Sequence, residues 1–269
     1  MSENKESDKI EKIRRLILKS GYPTEIEVGN ILRKSGWLVG NQWPYKDKAT
    51  GKIRTIDVLA MRMRLQAPKL GLLLLVECKK GENHDWVFYT QQKETEFLPL
   101  MGTIFDVVKK VTTPALSKQF EQLITKATVG GMFGLETRSS ALLSKLSGLH
   151  VLNKTIRIGV FNVVPSSRDD FFEATQQIIS TLESMSEGMK TFIVSPLIVF
   201  DGGIYEFYQE NSELKILPTN HIQFISFGTD VSPCLIDVIR KTYFPEFGKM
   251  VERDFQILTE IASYGAESS

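Results

Sequence analysis

Leu72-Leu73-Leu74-Leu75-Val76 runs without a break into Glu77-Cys78-Lys79. An apolar run this short, closed by charge and opened by the turn-like Gln66-Ala67-Pro68-Lys69, predicts a strand over Leu70 to Lys79. Leu and Val at successive positions mean that both faces of the strand are covered, so it belongs in the middle of its sheet. Alternate side chains of a strand share a face. Glu77 and Lys79 therefore project together, and Cys78 turns the other way. Charge set against such a run is costly unless it is paired or holds a metal ion.

A second β-type run, Ile53 to Met63, precedes that turn and carries Ile56-Asp57. A hairpin between the two runs sets Asp57 beside Glu77. Its alternation leaves open whether Ile53, Thr55, Asp57 and Leu59 or the other set faces inward. Further upstream, Trp37 to Gly40 predicts a strand, followed by Trp43-Pro44-Tyr45 and a polar turn over residues 47–52. Ile10, Ile13, Leu16 and Ile17 predict a helix over Lys9 to Ser20, stopped at Gly21-Tyr22-Pro23. Thr24 is the expected N-cap of a second helix ending at Gly36, with Glu25 and Glu27 in its first turn.

After Lys80, residues 91–150 predict amphipathic helices with one or two loops. Ile156 to Val164 reads as a strong strand. A helix follows over roughly residues 169–184, with Phe172, Ile178, Ile179 and Leu182 on its buried side. Thr191 to Phe200 is a strand, Asp201-Gly202-Gly203 a hairpin turn returning into Ile204 to Tyr208, and Ile222 to Phe227 a further strand. From Ser232 onward the apolar spacing predicts C-terminal helices around Phe244-Pro245. The expected architecture is one elaborated α/β domain over residues 1–269, with a mixed central sheet flanked by helices. Its core motif region is 24–80, its fourth core strand about 156–164, and residues 165–269 add further strands and helices.

Composition narrows the partners. A net charge of +1 over 269 residues excludes a globally basic nucleic-acid binder, leaving only a local patch for such contacts. The two cysteines, Cys78 and Cys234, make no CxxC pair, so neither a disulfide framework nor a structural zinc site is expected. No apolar signal core or membrane-length run occurs, which predicts a cytoplasmic protein without a membrane partner. His84, His150 and His221 show no metal-ligand spacing, and no GxxxxGK[ST], GxGxxG or GxSxG motif is present.

A helix bearing Glu25, three strands bearing Asp57 and Glu77-Cys78-Lys79, then a helix and another strand, resemble the PD-(D/E)XK nuclease superfamily of restriction-endonuclease-like and resolvase-like folds. Ile56-Asp57 matches the family's Pro-Asp, without the proline. Glu77-Cys78-Lys79 matches its (D/E)-x-K, and Glu25 its helix glutamate, with Glu27 as the rival for that role. The resemblance implies Mg²⁺-dependent hydrolysis of phosphodiester bonds, with Mn²⁺ able to substitute. Asp57, Glu77 and the backbone carbonyl of Cys78 would ligate the ion, Glu25 would act through water, and Lys79 would orient the attacking water. DNA is expected ahead of RNA, with a homodimer or a partner subunit completing the channel. By analogy of size and fold, the setting would be antiviral defence.

Around this region Lys46, Lys48, Lys52, Arg54 and Lys80 are candidate phosphate contacts, against the alternative of a solvated face. Trp86, Phe88 and Tyr89 are expected to be core more than base-stacking residues. Gln91 and Gln92 are placed on a helix after the motif, and Gln92 is a candidate nucleic-acid contact. The competing functional reading is a catalytically silent nuclease-fold subunit that binds nucleic acid or a protein partner.

Overall fold

The structure is a computed structural model and describes residues 2–64, 70–81, 84–91, 155–162, 170–185, 192–226 and 234–267. The chain runs α1 (Ser2–Lys19), α2 (Tyr22–Lys34), β1 (Leu38–Lys46), β2 (Ile53–Arg64), β3 (Leu70–Lys80), β4 (Trp86–Gln91), β5 (Thr155–Asn162) and α3 (Asp170–Met185). It continues through β6 (Phe192–Asp201), β7 (Ile204–Glu210), β8 (Glu213–Thr219), β9 (His221–Ser226), β10 (Cys234–Arg240) and α4 (Phe244–Glu267). No helix among the described residues is long and apolar enough to cross a membrane.

The expected α/β architecture with a mixed sheet flanked by helices is present. A six-stranded sheet has the order β1-β2-β3-β6-β10-β9. β1, β2 and β3 are an antiparallel meander, while β6 lies parallel to β3 and β10 parallel to β6. β3 is an inner strand, and Gly71 to Cys78 are all buried. On one face Leu72, Leu74, Val76 and Cys78 pack with Val28 and Leu32 of α2 and with Phe244, Phe247 and Val251 of α4. On the other face Ile56, Ile198 and Phe200 pack with Phe171, Ala174 and Ile178 of α3 and with Trp86, Phe88 and Ile204. Each fully buried aliphatic or aromatic side chain contributes about 1.5–3 kcal/mol, so the two clusters hold α2, α4 and α3 firmly to β3 and its neighbours.

The second cluster joins a separate four-stranded sheet, β5-β4-β7-β8, to the first. This corrects the expected fourth core strand. Residues 155–162 form β5, which pairs antiparallel with β4 in the smaller sheet, and the strand beside β3 is β6. Both stretches read equally well as strands, because propensity carries no information about which neighbour supplies the hydrogen bonds.

Asp201-Gly202-Gly203 is also not a hairpin. β6 and β7 lie in different sheets, and the chain turns a corner between them. A Cβ on Gly202 would sit 2.5 Å from the Phe200 ring, and one on Gly203 would sit 2.5 Å from an Asp85 carboxylate oxygen. The glycines are there for close approach. Asp85 accepts a hydrogen bond from Gly203 N–H at 2.8 Å, and the Gly203 carbonyl accepts one from Trp86 N–H at 2.9 Å.

Four smaller expectations are revised. Residues 234–240 form strand β10 and not a helix, because Ile236, Val238 and Ile239 meet core on both sheet faces. α2 begins at Tyr22, with Pro23 in its first turn, so Thr24 is not its N-cap; its hydroxyl donates to Asp201 instead. On α3 the buried aromatic is Phe171, and Phe172 is exposed. Gln91 ends strand β4 and is not helical. Gln92, His150 and the helices expected over residues 92–150 lie outside the described residues.

The Gly202 corner supports a test with an internal control. Gly202→Ala forces apart Phe200 and Gly81, and its expected cost is about 1–3 kcal/mol in chemical denaturation. Gly248→Ala, in α4 with nothing within 4 Å of the added methyl among the described residues, is expected to gain about 0.5–1 kcal/mol. Equal effects at the two positions would contradict the packing described.

Candidate active site

The antiparallel ladder between β2 and β3 runs to Val58–Val76 and stops there. β3 stays paired with β6 as far as Lys80, so its β2-facing edge opens at Glu77 and Cys78. The Cys78 N–H on that edge would be a buried donor with no strand partner, which is costly. Asp57 takes it up: its Oδ2 accepts from Cys78 N–H at 2.8 Å. An acid at position 57 thus replaces a missing ladder bond, and in doing so is held beside Glu77.

Glu77 is 1% exposed. Its Oε1 accepts from Lys79 Nζ at 3.0 Å, whereas its Oε2 is buried without a hydrogen-bond partner among the described residues. Lys79 also donates to Gln177 Oε1 of α3 at 3.3 Å, so its ammonium is held between β3 and the helix. Glu77 and Lys79 share a face, and Cys78 is in the opposite core cluster, as strand parity requires. Burial pushes the Cys78 thiol well above its ordinary pKa, which fits an inert core cysteine.

Glu25 reaches the same point from α2. Gln42 links it to Asp57, because its side-chain amide donates to Glu25 Oε2 and also to Asp57 Oδ1 at 3.2 Å. The Gln42 carbonyl oxygen accepts from the Thr55 hydroxyl at 2.9 Å. Gln42 has φ +50°, a left-handed conformation in the middle of β1. The ladder pairs Asn41 with Val58 and Trp43 with Ile56 and skips the pair between them. The neighbouring Asn41 amide donates to the Glu25 backbone carbonyl at 3.2 Å, tying α2 to β1.

The electrostatics follow from this crowding. Burial, then the nearby Asp57 carboxylate, pushes the Glu77 pKa up to about 8, against the opposing pull of Lys79. Burial also raises Asp57, outweighing the Cys78 amide, Lys79 and Gln42. Burial and Asp57 together raise Glu25. Lys79 is raised overall: burial favours its neutral form, but Glu77, Asp57 and Glu173 outweigh it.

The structure therefore gathers Glu25, Asp57, Glu77 and Lys79. Glu27 faces elsewhere and pairs with Lys241 at 3.1 Å, which leaves Glu25 as the helix carboxylate. At Cys78 it is the amide N–H that meets Asp57. Among the described residues no group of three or more His, Cys, Asp or Glu side chains is assembled as a ready-made metal centre. Gln42 and Gln177 are site residues that the sequence reading missed. Gln177 sits on the edge of α3's apolar face with nothing to distinguish it, and the only hint at Gln42 was the chain-breaking Gly40-Asn41 before it.

The basic residues are more dispersed. Arg54 is paired with Asp47 at 2.7 Å, Lys80 donates to the Leu18 backbone carbonyl, and Lys46, Lys48 and Lys52 are exposed. Trp86 and Phe88 are fully buried, and Trp86 stacks on Phe200 with ring centroids 3.9 Å apart, so neither is open to a base. His84 lies against Phe200 and 3.6 Å from Asp170. No family model, curated protein or solved structure matches this chain.

The raised Glu77 pKa has a definite sign. The folded state favours protonated Glu77, so this contribution to stability is complete below pH 4.5 and is lost as the pH rises through about 8. Glu77→Gln, neutral at every pH, is expected to remove that loss. In EDTA, its Tm should exceed that of the unaltered protein by about 2–4 °C or more at pH 8.5 and by less at pH 5. A Tm difference independent of pH would contradict the burial argument.

Proposed function

We propose that the chain is a divalent-cation-dependent nuclease of the restriction-endonuclease-like kind, hydrolysing phosphodiester bonds in DNA in preference to RNA. One observation carries this reading. Glu25, Asp57, Glu77 and Lys79, drawn from a helix and two strands, meet where β2 and β3 part. With β4 and β5 set aside in the second sheet, the order α2–β1–β2–β3–α3–β6 also follows the helix, three-strand, helix, strand succession of the PD-(D/E)XK superfamily.

The residues fit a hard divalent cation. All the donors are oxygens, and the buried Glu77 Oε2 has no hydrogen-bond partner among the described residues. Asp57 and Glu77 would hold the ion with the Cys78 carbonyl, and Glu25 would reach it through water. When bound, Mg²⁺ or Mn²⁺ supplies charge neutralisation and a more acidic water. Lys79, held by Glu77 and Gln177, is placed to orient that water and to offset charge on the phosphate. The exposed Lys46, Lys48 and Lys52 then serve to position a backbone without reading sequence.

A second reading has its own support. Gln42, Lys79 and the Cys78 N–H already satisfy four of the six carboxylate oxygens of Glu25, Asp57 and Glu77, and no metal centre is preassembled among the described residues. That is also how a silent nuclease-fold subunit, binding nucleic acid or a protein partner, would look.

Purified protein incubated with plasmid, linear DNA, single-stranded DNA and RNA separates the two. Cleavage is expected with Mg²⁺ or Mn²⁺ and not with EDTA. Asp57→Asn keeps an acceptor for Cys78 N–H, and with Lys79→Met it is expected to lower the rate by about 10²–10³-fold or more. Nucleic-acid binding without cleavage under either cation would favour the silent subunit. Cleavage undiminished in Asp57→Asn would overturn the assignment of the site.

A further inference from the structure

The proposed nuclease has an apparent defect: its acids converge, yet they do not form a shared cation sphere. Gln42 accounts for the gap. Its amide nitrogen donates to Glu25 and to Asp57 at once, standing between the two carboxylates. This contact is built in rather than incidental. The backbone there is left-handed, which is strained for a non-glycine residue. The Thr55 hydroxyl fixes the far end of the side chain, and Asn41 beside it ties β1 to α2. On β3, near enough to Asp57 to feel its charge, Glu77 Oε2 is buried with no hydrogen-bond partner among the described residues. The site thus holds one donor between two acids and a third acid awaiting a partner.

We propose that Gln42 is a displaceable placeholder for the divalent cation. Its amide stands in for the ion between Glu25 and Asp57 in the cation-free protein and swings away when the ion enters. This rests on the reading of the site as a cation site and adds a residue that sets how readily the ion is taken up. An amide nitrogen carries two donors and only partial positive charge, so it can bridge two carboxyls whose repulsion would otherwise open the site. It cannot match a divalent ion in charge. Entry of the ion would therefore exchange the Asp57 hydrogen bond for direct oxygen ligation and the Glu25 hydrogen bond for a contact through water, and the bonds given up lower the apparent affinity. Gln42 acts through Glu25 and Asp57 and is a positioning residue.

Two variants test this. Gln42→Asn suits the left-handed backbone, because Asn tolerates positive φ better than most residues, but it is one methylene too short to bridge both acids. Gln42→Ala removes the donor altogether. Mn²⁺ and Mg²⁺ binding is measured by titration calorimetry, and Tm is recorded in EDTA and in saturating cation. Hydrogen bonds to charged groups are of the size that shifts a binding constant about tenfold, so both variants are expected to bind Mn²⁺ about tenfold tighter or more. Both should have a lower Tm in EDTA and a larger cation-induced rise in Tm than the unaltered protein.

Cation binding by the variants alone also supports the proposal, since the placeholder would then be prevailing in the unaltered chain. Folded variants that bind Mn²⁺ no tighter than a binding-competent unaltered protein overturn it and leave the nuclease reading standing. No Mn²⁺ binding by any of the three proteins overturns the proposal together with the cation site on which it rests.

Discussion

Glu77 is a carboxylate that directly follows a fully buried stretch of strand, Gly71 to Val76. A charge so placed cannot be hydrated, and its neighbours are arranged around that fact. Lys79 folds back onto one of its oxygens, and Gln177 holds the ammonium from the other side. Asp57 is fastened by a backbone amide, so it cannot retreat from the repulsion it exerts on Glu77. A fold that keeps two acids this close stores electrostatic tension that a proton or a cation can relieve. Stability and site chemistry are thus two consequences of one arrangement.

The sheet produces that arrangement by coming apart locally. β3 continues along β6 while β2 lets go, and the single unpaired amide this creates is what recruits Asp57. On the next strand out, Gln42 breaks the β1–β2 ladder opposite the same residue and turns its amide inward. Ile56 and Val58, two residues apart, fall in different core clusters, which is the trace of this departure from strict alternation. The surroundings are rigid: α2 and α4 cover one face of β3, and α3 with the second sheet covers the other. The Trp86–Phe200 stack and the glycine corner lock the two sheets together just beyond the site.

Much of the core was legible in the linear chain. The Leu/Val run announced an inner strand because no other arrangement buries both of its faces. The parity of Glu77, Cys78 and Lys79 followed from strand geometry alone. β5 and β6 were each recognisable as strands, but the place beside β3 expected for β5 is taken by β6, because pairing is chosen by the whole chain and not by a segment's own propensity. Gly202-Gly203 was read as a hairpin for the same reason: glycines mark a sharp turn, while the strands that follow decide whether it closes one sheet or joins two. Gln177 left no trace and Gln42 only the chain-breaking Gly40-Asn41 before it, since a glutamine that organises a site is spelled like one that faces water.

By itself the amino-acid sequence determined that charge would interrupt a buried strand, that Asp57, Glu77 and Lys79 would be available for one site, and that the chain would be α/β. Those results depend on short-range periodicity and on the cost of burying charge, both of which are local. Tertiary structure alone decided that Glu25 and not Glu27 would join them, that Cys78 would contribute an N–H, and that Gln42 would stand between two acids. Each of these depends on where a ladder ends or which way a helix is rotated. Such choices are settled by the packing of elements far apart in the chain.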